Sequence, residues 1–206
     1  MEPVVVIDFE TTGLSPEHGA RATEIAAVLV RDGQVVDRYQ SLMNAGQPIP
    51  AFIQSLTGIT NSMIRRAPPV RQVMAEVADF VGNHPMVAHN ASFDRKFWQA
   101  ELARIGHQAV QPFVCSMLVA RRLLPEAPNH KLGTLATYVS LPVTGRHHRA
   151  LADAEMAAHL TLFLERRLVE QFRLGTASYE LLQRIQRTSR SRLSECIQGC
   201  SRVPHH

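Results

Sequence analysis

The chain has 206 residues, 45% apolar and 19% charged, with 22 Lys+Arg against 18 Asp+Glu and a formal net charge of +4. That balance is globular, and the length suits one domain of roughly 100–200 residues with an appendage. It excludes a collagen, a coiled coil and a membrane protein, since no apolar run approaches the ~20 residues a spanning helix needs.

The first predicted element is Pro3 to Glu10, a continuous β-branched run that reads as a central strand buried on both faces. The segment from Thr11 to Pro16 breaks it with turn chemistry. Residues 23–30 and 35–42 are two more strands, and Asp32-Gly33 between them predicts an antiparallel hairpin. A Pro-punctuated stretch over 47–69 holds short helical pieces, including Leu56-Thr57-Gly58-Ile59-Thr60. Apolar residues at Val70, Val73, Met74, Val77, Phe80 and Val81 have helical spacing. Residues 86–89 form a short strand, followed by a helix over 92–105 with Ser92 as its N-cap. A last short strand at 112–115 runs into a helix through Leu124; further helices are expected at 131–139 and at about 149–170. Strands first, then strands alternating with helices, make an α/β fold with a mixed sheet. The expected division is a domain over 1–170 and a short basic helical tail over 171–206.

That tail carries the whole net charge. Residues 1–164 hold 14 basic and 14 acidic side chains, whereas 165–206 hold 8 Arg and 4 Glu. Such a distribution suits either a polyanionic partner or a solvated Arg-rich helix. The three cysteines (Cys115, Cys196, Cys200) form no disulfide framework or metal-ligand spacing, and the start of the chain lacks the basic segment of a signal peptide. A cytoplasmic location with no membrane attachment is expected.

Four acids stand out. Asp8 and Glu10 are two apart in the first strand, so their carboxylates project from one face while Phe9 points to the other. Two such groups repel and resist desolvation unless a cation compensates; the alternative is the exposed end of a strand. Asp94 shares a helix face with Phe97, Trp98 and Ile105, so it points inward, although an acid in a first turn also gains from the helix dipole. Asp153 begins the apolar stripe Ala157, Leu160 and Leu164, and His148 precedes it by five residues in a Gly- and Arg-rich loop. Oxygen donors of this kind suit two hard divalent ions, Mg²⁺ or Mn²⁺, better than zinc. A pair of ions roughly 3.5–4 Å apart clamps the attacking and leaving oxygens of a phosphodiester, and a histidine near neutrality takes the proton from the attacking water.

Three segments then resemble one family. Asp8-Phe9-Glu10-Thr11-Thr12-Gly13, Asn90-Ala91-Ser92-Phe93-Asp94 and His148-Arg149-Ala150-Leu151-Ala152-Asp153 are similar, in order and interval, to the three motifs of the DEDDh (DnaQ-like) 3′→5′ exonucleases. The resemblance covers about 3–168, including the Glu24-Ile25 strand and Gly58-Ile59-Thr60. It implies a ribonuclease H-like fold, a mixed five-stranded sheet flanked by helices. It further implies that Asp8, Glu10 and Asp153 hold one ion, that Asp8 bridges to a second supported by Asp94, and that His148 is the general base. Of His147 and His148, only His148 has the family spacing to Asp153. Thr11, Thr12, Gly13 and Leu14 match the segment that cradles the terminal nucleotide, with Leu14 wedged at the last bases. Asn90 and Phe93 would support that pocket and Ile59 would line it. Thr57 stands where replicative members often carry histidine.

The expected activity is metal-dependent release of nucleoside 5′-monophosphates from the 3′ end of DNA, preferably single-stranded. The alternatives are a proofreading subunit of a replicative polymerase, an RNA-trimming exoribonuclease, and, in a different class, a non-catalytic nucleic-acid-binding module. The partners expected are nucleic-acid 3′ ends and, through the tail, a polymerase or other replication or repair protein. No convincing clamp-binding peptide is present, which favours a free-standing enzyme. The tail segment Tyr179 to Ile185 is amphipathic enough to pack on its own domain or on a partner.

Overall fold

The computed structural model describes residues 1–142 and 148–200. His147, with Gly145 and Arg146, lies outside the described residues. Five strands form one sheet: β1 (Val4–Thr11), β2 (Ala22–Arg31), β3 (Gln34–Leu42), β4 (Met86–Ala88) and β5 (Phe113–Cys115), in the order β3-β2-β1-β4-β5. β2 is antiparallel to β1 and β3, while β4 and β5 run parallel to β1. The α/β mixed sheet is therefore the expected one. β1 is central and wholly buried from Val4 to Ile7, which is why its run is continuously apolar. Asp32 and Gly33 both take positive φ, +51° and +75°, as a two-residue hairpin requires.

Nine helices are described: α1 (Ala51–Thr57), α2 (Asn61–Arg66), α3 (Val70–Val81), α4 (Ser92–Arg104), α5 (Ser116–Leu123), α6 (Leu132–Tyr138), α7 (Ala150–Phe172), α8 (Tyr179–Arg187) and α9 (Leu193–Cys200). They cover both faces of the sheet. One core joins Val5, Ile7 and Phe9 to Val73, Met74 and Val77 of α3 and to Phe97, Trp98 and Leu102 of α4. The other joins Val4 and Val6 to α5, α7 and the tail helices through Val119, Leu160, Leu182, Ile185 and Ile197. Of the two fates open to the amphipathic tail segment, α8 takes its own domain. There the Gln186 side chain accepts from Cys115 N–H (2.8 Å) and donates to the Phe113 carbonyl (3.1 Å), along the outer side of β5. Tyr179 donates its hydroxyl to the carbonyls of Met86 and Pro112 at the other end of α8.

Two local expectations are corrected. Ser92 is the first residue of α4 and not its N-cap; Ala91 holds that position in a helical conformation with no side-chain cap. The reason is the turn before it. Asn90 adopts φ +68° and its carbonyl accepts from Phe93 N–H (2.9 Å), so the chain enters the helix one residue early. Gly58 is likewise a left-handed C-cap of α1 (φ +74°), which ends that helix before Ile59 and Thr60.

Candidate active site

The C-terminal end of β1, the start of α4 and the start of α7 meet at one end of the sheet, and each delivers acids there. Asp8 and Glu10 are half-buried on β1, Asp94 is almost wholly buried in the first turn of α4, and Asp153 is half-buried in the first turn of α7. Glu10, His148 and Asp153 each offer a ligand atom, and these atoms lie within 4.8 Å of one another. Asp94 accepts the Phe9 amide through its carboxylate (3.1 Å), which ties α4 to β1 between the two strand acids. Asp8 is the hub: its pKa is raised well above the ordinary value, first by burial and then by Asp94, Asp153, Glu10 and Glu24. Burial, then Asp153 and Glu24, pushes Glu10 up to about 8. Burial likewise lifts Asp94 to about 7, against the lowering effect of its backbone hydrogen bonds. Carboxylates collected in this way bind a proton or a cation, and a donor set dominated by carboxylate oxygen on three elements fits hard divalent ions.

His148 is exposed and adopts φ +62°, a strained region for a residue other than glycine. Its backbone N–H donates to Asp153 Oδ2 (3.0 Å), so the base candidate and the acid five residues on are joined through the main chain. A second described histidine, His89 at the end of β4, is a poor base. It is held between Ser116 Oγ (3.0 Å) and the His130 carbonyl (2.9 Å), and burial lowers its pKa to about 4.

Glu24 orders this corner. It lies opposite Glu10 in the β1–β2 register and is wholly buried. Two like charges so placed would repel, but Glu24 carries its own cation. Arg149 grips it through Nε (3.1 Å) and Nη2 (2.7 Å), Gln40 Nε2 donates at 2.8 Å, and the Ala150 N–H donates at 3.1 Å. The last bond satisfies one of the orphan donors at the N-terminus of α7, and a carboxylate there also suits the helix dipole. Sequence alone marks Glu24 only as part of a family strand. Its link to Arg149 spans 125 positions, which no local pattern reveals.

The segment after β1 is built around Thr12. Its hydroxyl oxygen accepts from Arg21 N–H (3.0 Å) and from Gln47 Nε2 (2.9 Å), while Thr11 donates to the Gly13 carbonyl (2.7 Å). A Cβ on Gly13 would stand 3.3 Å from that of Ala20, so the loop closes tightly here. Leu14, beyond it, is 86% exposed, an apolar side chain with no packing of its own. Asn90 is exposed at its left-handed turn, and Phe93 packs at a tilt on Phe97 with ring centroids 5.0 Å apart. Ile59 differs from expectation: it is wholly buried with Ile49 and Ile64, so its side chain packs beneath this region instead of lining its surface. Gln47, which no sequence pattern marks, ties the segment after β3 to Thr12 and to the Gly19 carbonyl.

Known proteins share this outline. The family model RNase_T, an exonuclease, matches residues 5–161. DNA polymerase III PolC-type of Oceanobacillus iheyensis is 42% identical over 168 residues, which is 81% of this chain and 12% of that polymerase. The PolC-type polymerase of Bacillus subtilis is 38% identical over 163 residues, 78% of this chain and 11% of its own. The chain thus spans about an eighth of the length of these relatives. Among solved structures, exonuclease X in complex with 5′ overhanging duplex DNA superposes with a TM-score of 0.70 and 28% identity, covering 89% of this chain and 99% of that one. Escherichia coli exonuclease I with a dT13 oligonucleotide gives a TM-score of 0.72 at 16% identity, covering 84% of this chain and 43% of that one. That second likeness is one of fold, the ribonuclease H-like sheet with its flanking helices.

Proposed function

This chain belongs to the exonuclease family, and from that premise we propose that it removes nucleoside 5′-monophosphates one at a time from the 3′ ends of DNA, single strands preferred. The observation that carries the reading is the meeting of Asp8, Glu10, Asp94 and Asp153 with His148 at one end of the sheet. In this reading the four carboxylates, with Asp8 the most surrounded by the others, would hold two divalent ions, Mg²⁺ or Mn²⁺. Such ions supply charge neutralisation and Lewis acidity at the phosphodiester when bound. His148, exposed beside Glu10 and Asp153, takes the proton from the attacking water. Thr11, Thr12 and Gly13 receive the terminal sugar, and Leu14, with no packing partner of its own, stacks on the last base. Asn90 and Phe93 shape the opposite wall through the turn into α4.

DNA is proposed over RNA because the relatives named above at 28–42% identity are DNA polymerases and an exonuclease bound to DNA. The test is a gel time course of 5′-labelled DNA and RNA oligomers with Mg²⁺, Mn²⁺ or EDTA, beside Asp94→Asn. A metal-dependent ladder that shortens from the 3′ end on DNA, and is lost in the variant, is the expected result. No ladder on any substrate, with binding retained, would move the assignment to a non-catalytic binding module. The PolC-type relatives favour one further setting, proofreading beside a DNA polymerase. Retention of the chain on an immobilised polymerase would support it, and passage through the column would leave a free-standing enzyme.

A further inference from the structure

The tail contains a feature that the exonuclease match does not reach, since that match ends at residue 161. Between α8 and α9 lies an open groove of about 410 Å³ lined by Arg184, Arg187, Thr188, Arg192, Glu195 and Cys196. Elsewhere the arginines that meet an acid are accounted for: Arg21 pairs with Glu101, Arg38 with Glu155, Arg149 with Glu24 and Arg190 with Glu126. Among the described residues no ion pair joins Arg184, Arg187 or Arg192 to any acid, Glu195 included. Arg184 is held in place, with Nη2 3.5 Å from the Cys196 carbonyl and against Gly199, where a Cβ would stand 3.5 Å from that nitrogen. Arg187 and Arg192 are exposed on the rim.

We propose that this groove binds the phosphodiester backbone of the nucleic acid at a distance from its 3′ end, a proposal that rests on the exonuclease reading of the site. Three guanidiniums line the groove against one acid, Glu195, which pairs with none of them, so the lining keeps an excess of positive charge that an anion laid along it relieves. Guanidinium groups also match phosphate oxygens in geometry, two N–H groups to one phosphate. The position fits the body of the substrate and not its terminus. α8 lies beyond β5, and β5 is already two strand spacings, roughly 10 Å, from the acids on β1. The helices α7, α5 and α8 form one layer, so the groove and the end of α7 that bears Asp153 belong to the same side of the sheet. Interactions of this kind carry no base information, so the groove serves grip and not sequence choice.

The experiment uses the whole chain with Arg187→Gln/Arg192→Gln, two exposed positions whose replacement leaves the core untouched. Arg71→Gln/Arg104→Gln, on α3 and α4 across the sheet, is the charge-matched control. Binding of a labelled single-stranded DNA of about 30 nucleotides is followed by anisotropy in EDTA over a range of salt. The groove variant is expected to bind about tenfold more weakly at low salt, with a salt slope shallower by roughly 1.4, near 0.7 for each of the two phosphates no longer neutralised. The control is expected to stay within a factor of two of the parent (about 0.4 kcal/mol). Unchanged affinity and slope in the groove variant, or an equal weakening in the control, overturns the proposal. Turnover of a dinucleotide, whose single phosphodiester is held at the acids and leaves none for the groove, is expected to be unchanged in the variant. If the parent chain hydrolyses nothing, the exonuclease reading fails by itself, and the binding comparison in EDTA still decides the groove.

Discussion

Asp94 and Glu101 leave the same helix two turns apart, both almost wholly buried, and their surroundings are opposite. Glu101 meets Arg21 twice, at 2.8 and 2.9 Å, and accepts the Ala22 amide at 3.2 Å. Asp94 accepts backbone amides, of Phe9 and of its own residue, lies beside the Asp8 carboxylate, and is lifted by burial to a pKa of about 7. The same division recurs across the β1–β2 ladder, where Glu24 is clasped by Arg149 while Glu10, opposite it, rises to about 8. A buried carboxylate that holds the fold together is given its cation by the chain. In the proposed reading, one that serves a ligand finds its cation in solution.

Four substitutions bear on that division, the largest effect first. His148→Ala is expected to lower kcat by about 10²–10⁴-fold, the usual worth of a general base, with the thermal transition unchanged. Single-turnover hydrolysis at saturating Mn²⁺ measures it, and a drop of only a few-fold would remove His148 from the mechanism. Glu101→Gln is expected to reduce stability by about 2–3 kcal/mol, because it takes the carboxylate charge from a half-buried guanidinium, and to leave kcat of the folded fraction unaltered. Urea titration beside the same hydrolysis assay separates the two readouts. Glu24→Gln tests the boundary between the classes: it should destabilise the fold and also lower kcat by roughly 10–100-fold, since α7 and His148 lose their anchor to β2. If kcat were untouched, Glu24 would belong with Glu101 as purely structural.

The smallest effect concerns pH. The folded-state pKa values of Asp94 and Glu10, about 7 and about 8, exceed the ordinary unfolded values near 4. The folded state therefore holds extra protons between about pH 4 and 8, and metal-free stability falls as pH rises through that window. Asp94→Asn removes one ionisation, so in EDTA at pH 8 it should melt a few degrees above the parent, each kcal/mol being worth about 2–4 °C at this size. Mg²⁺ or Mn²⁺ should raise the melting temperature of the parent more at pH 8 than at pH 6, with release of protons on binding. A flat calorimetric response to metal at both pH values would argue against a clustered site.

Much of this is legible in the residues, and for a physical reason. Period and turn chemistry are local, so β1, the Asp32-Gly33 hairpin, α3, α4 and α7 follow from patterns a few residues long. The acids are legible because each interrupts an apolar pattern, as Asp8 does in β1 and Asp153 does in α7. What stays hidden depends on distant parts of the chain meeting. The Glu24–Arg149 clasp, the Gln47 link to Thr12 and the burial of Ile59 each join segments that no periodicity connects. Ser92 misleads because capping chemistry favours serine, whereas the left-handed turn at Asn90 has already started the helix.

The amide of Gln186, set between Cys115 N–H and the Phe113 carbonyl, occupies the place that a sixth strand's backbone would take. An open strand edge is a template on which a second molecule can add itself, strand to strand, into sheets that grow without limit. Here the stopper is supplied from α8, after the last residue of the exonuclease match. A chain trimmed to that match would retain every acid of the site yet present β5 as a bare edge. Its failure would then be precipitation, and the catalytic groups would have no part in it.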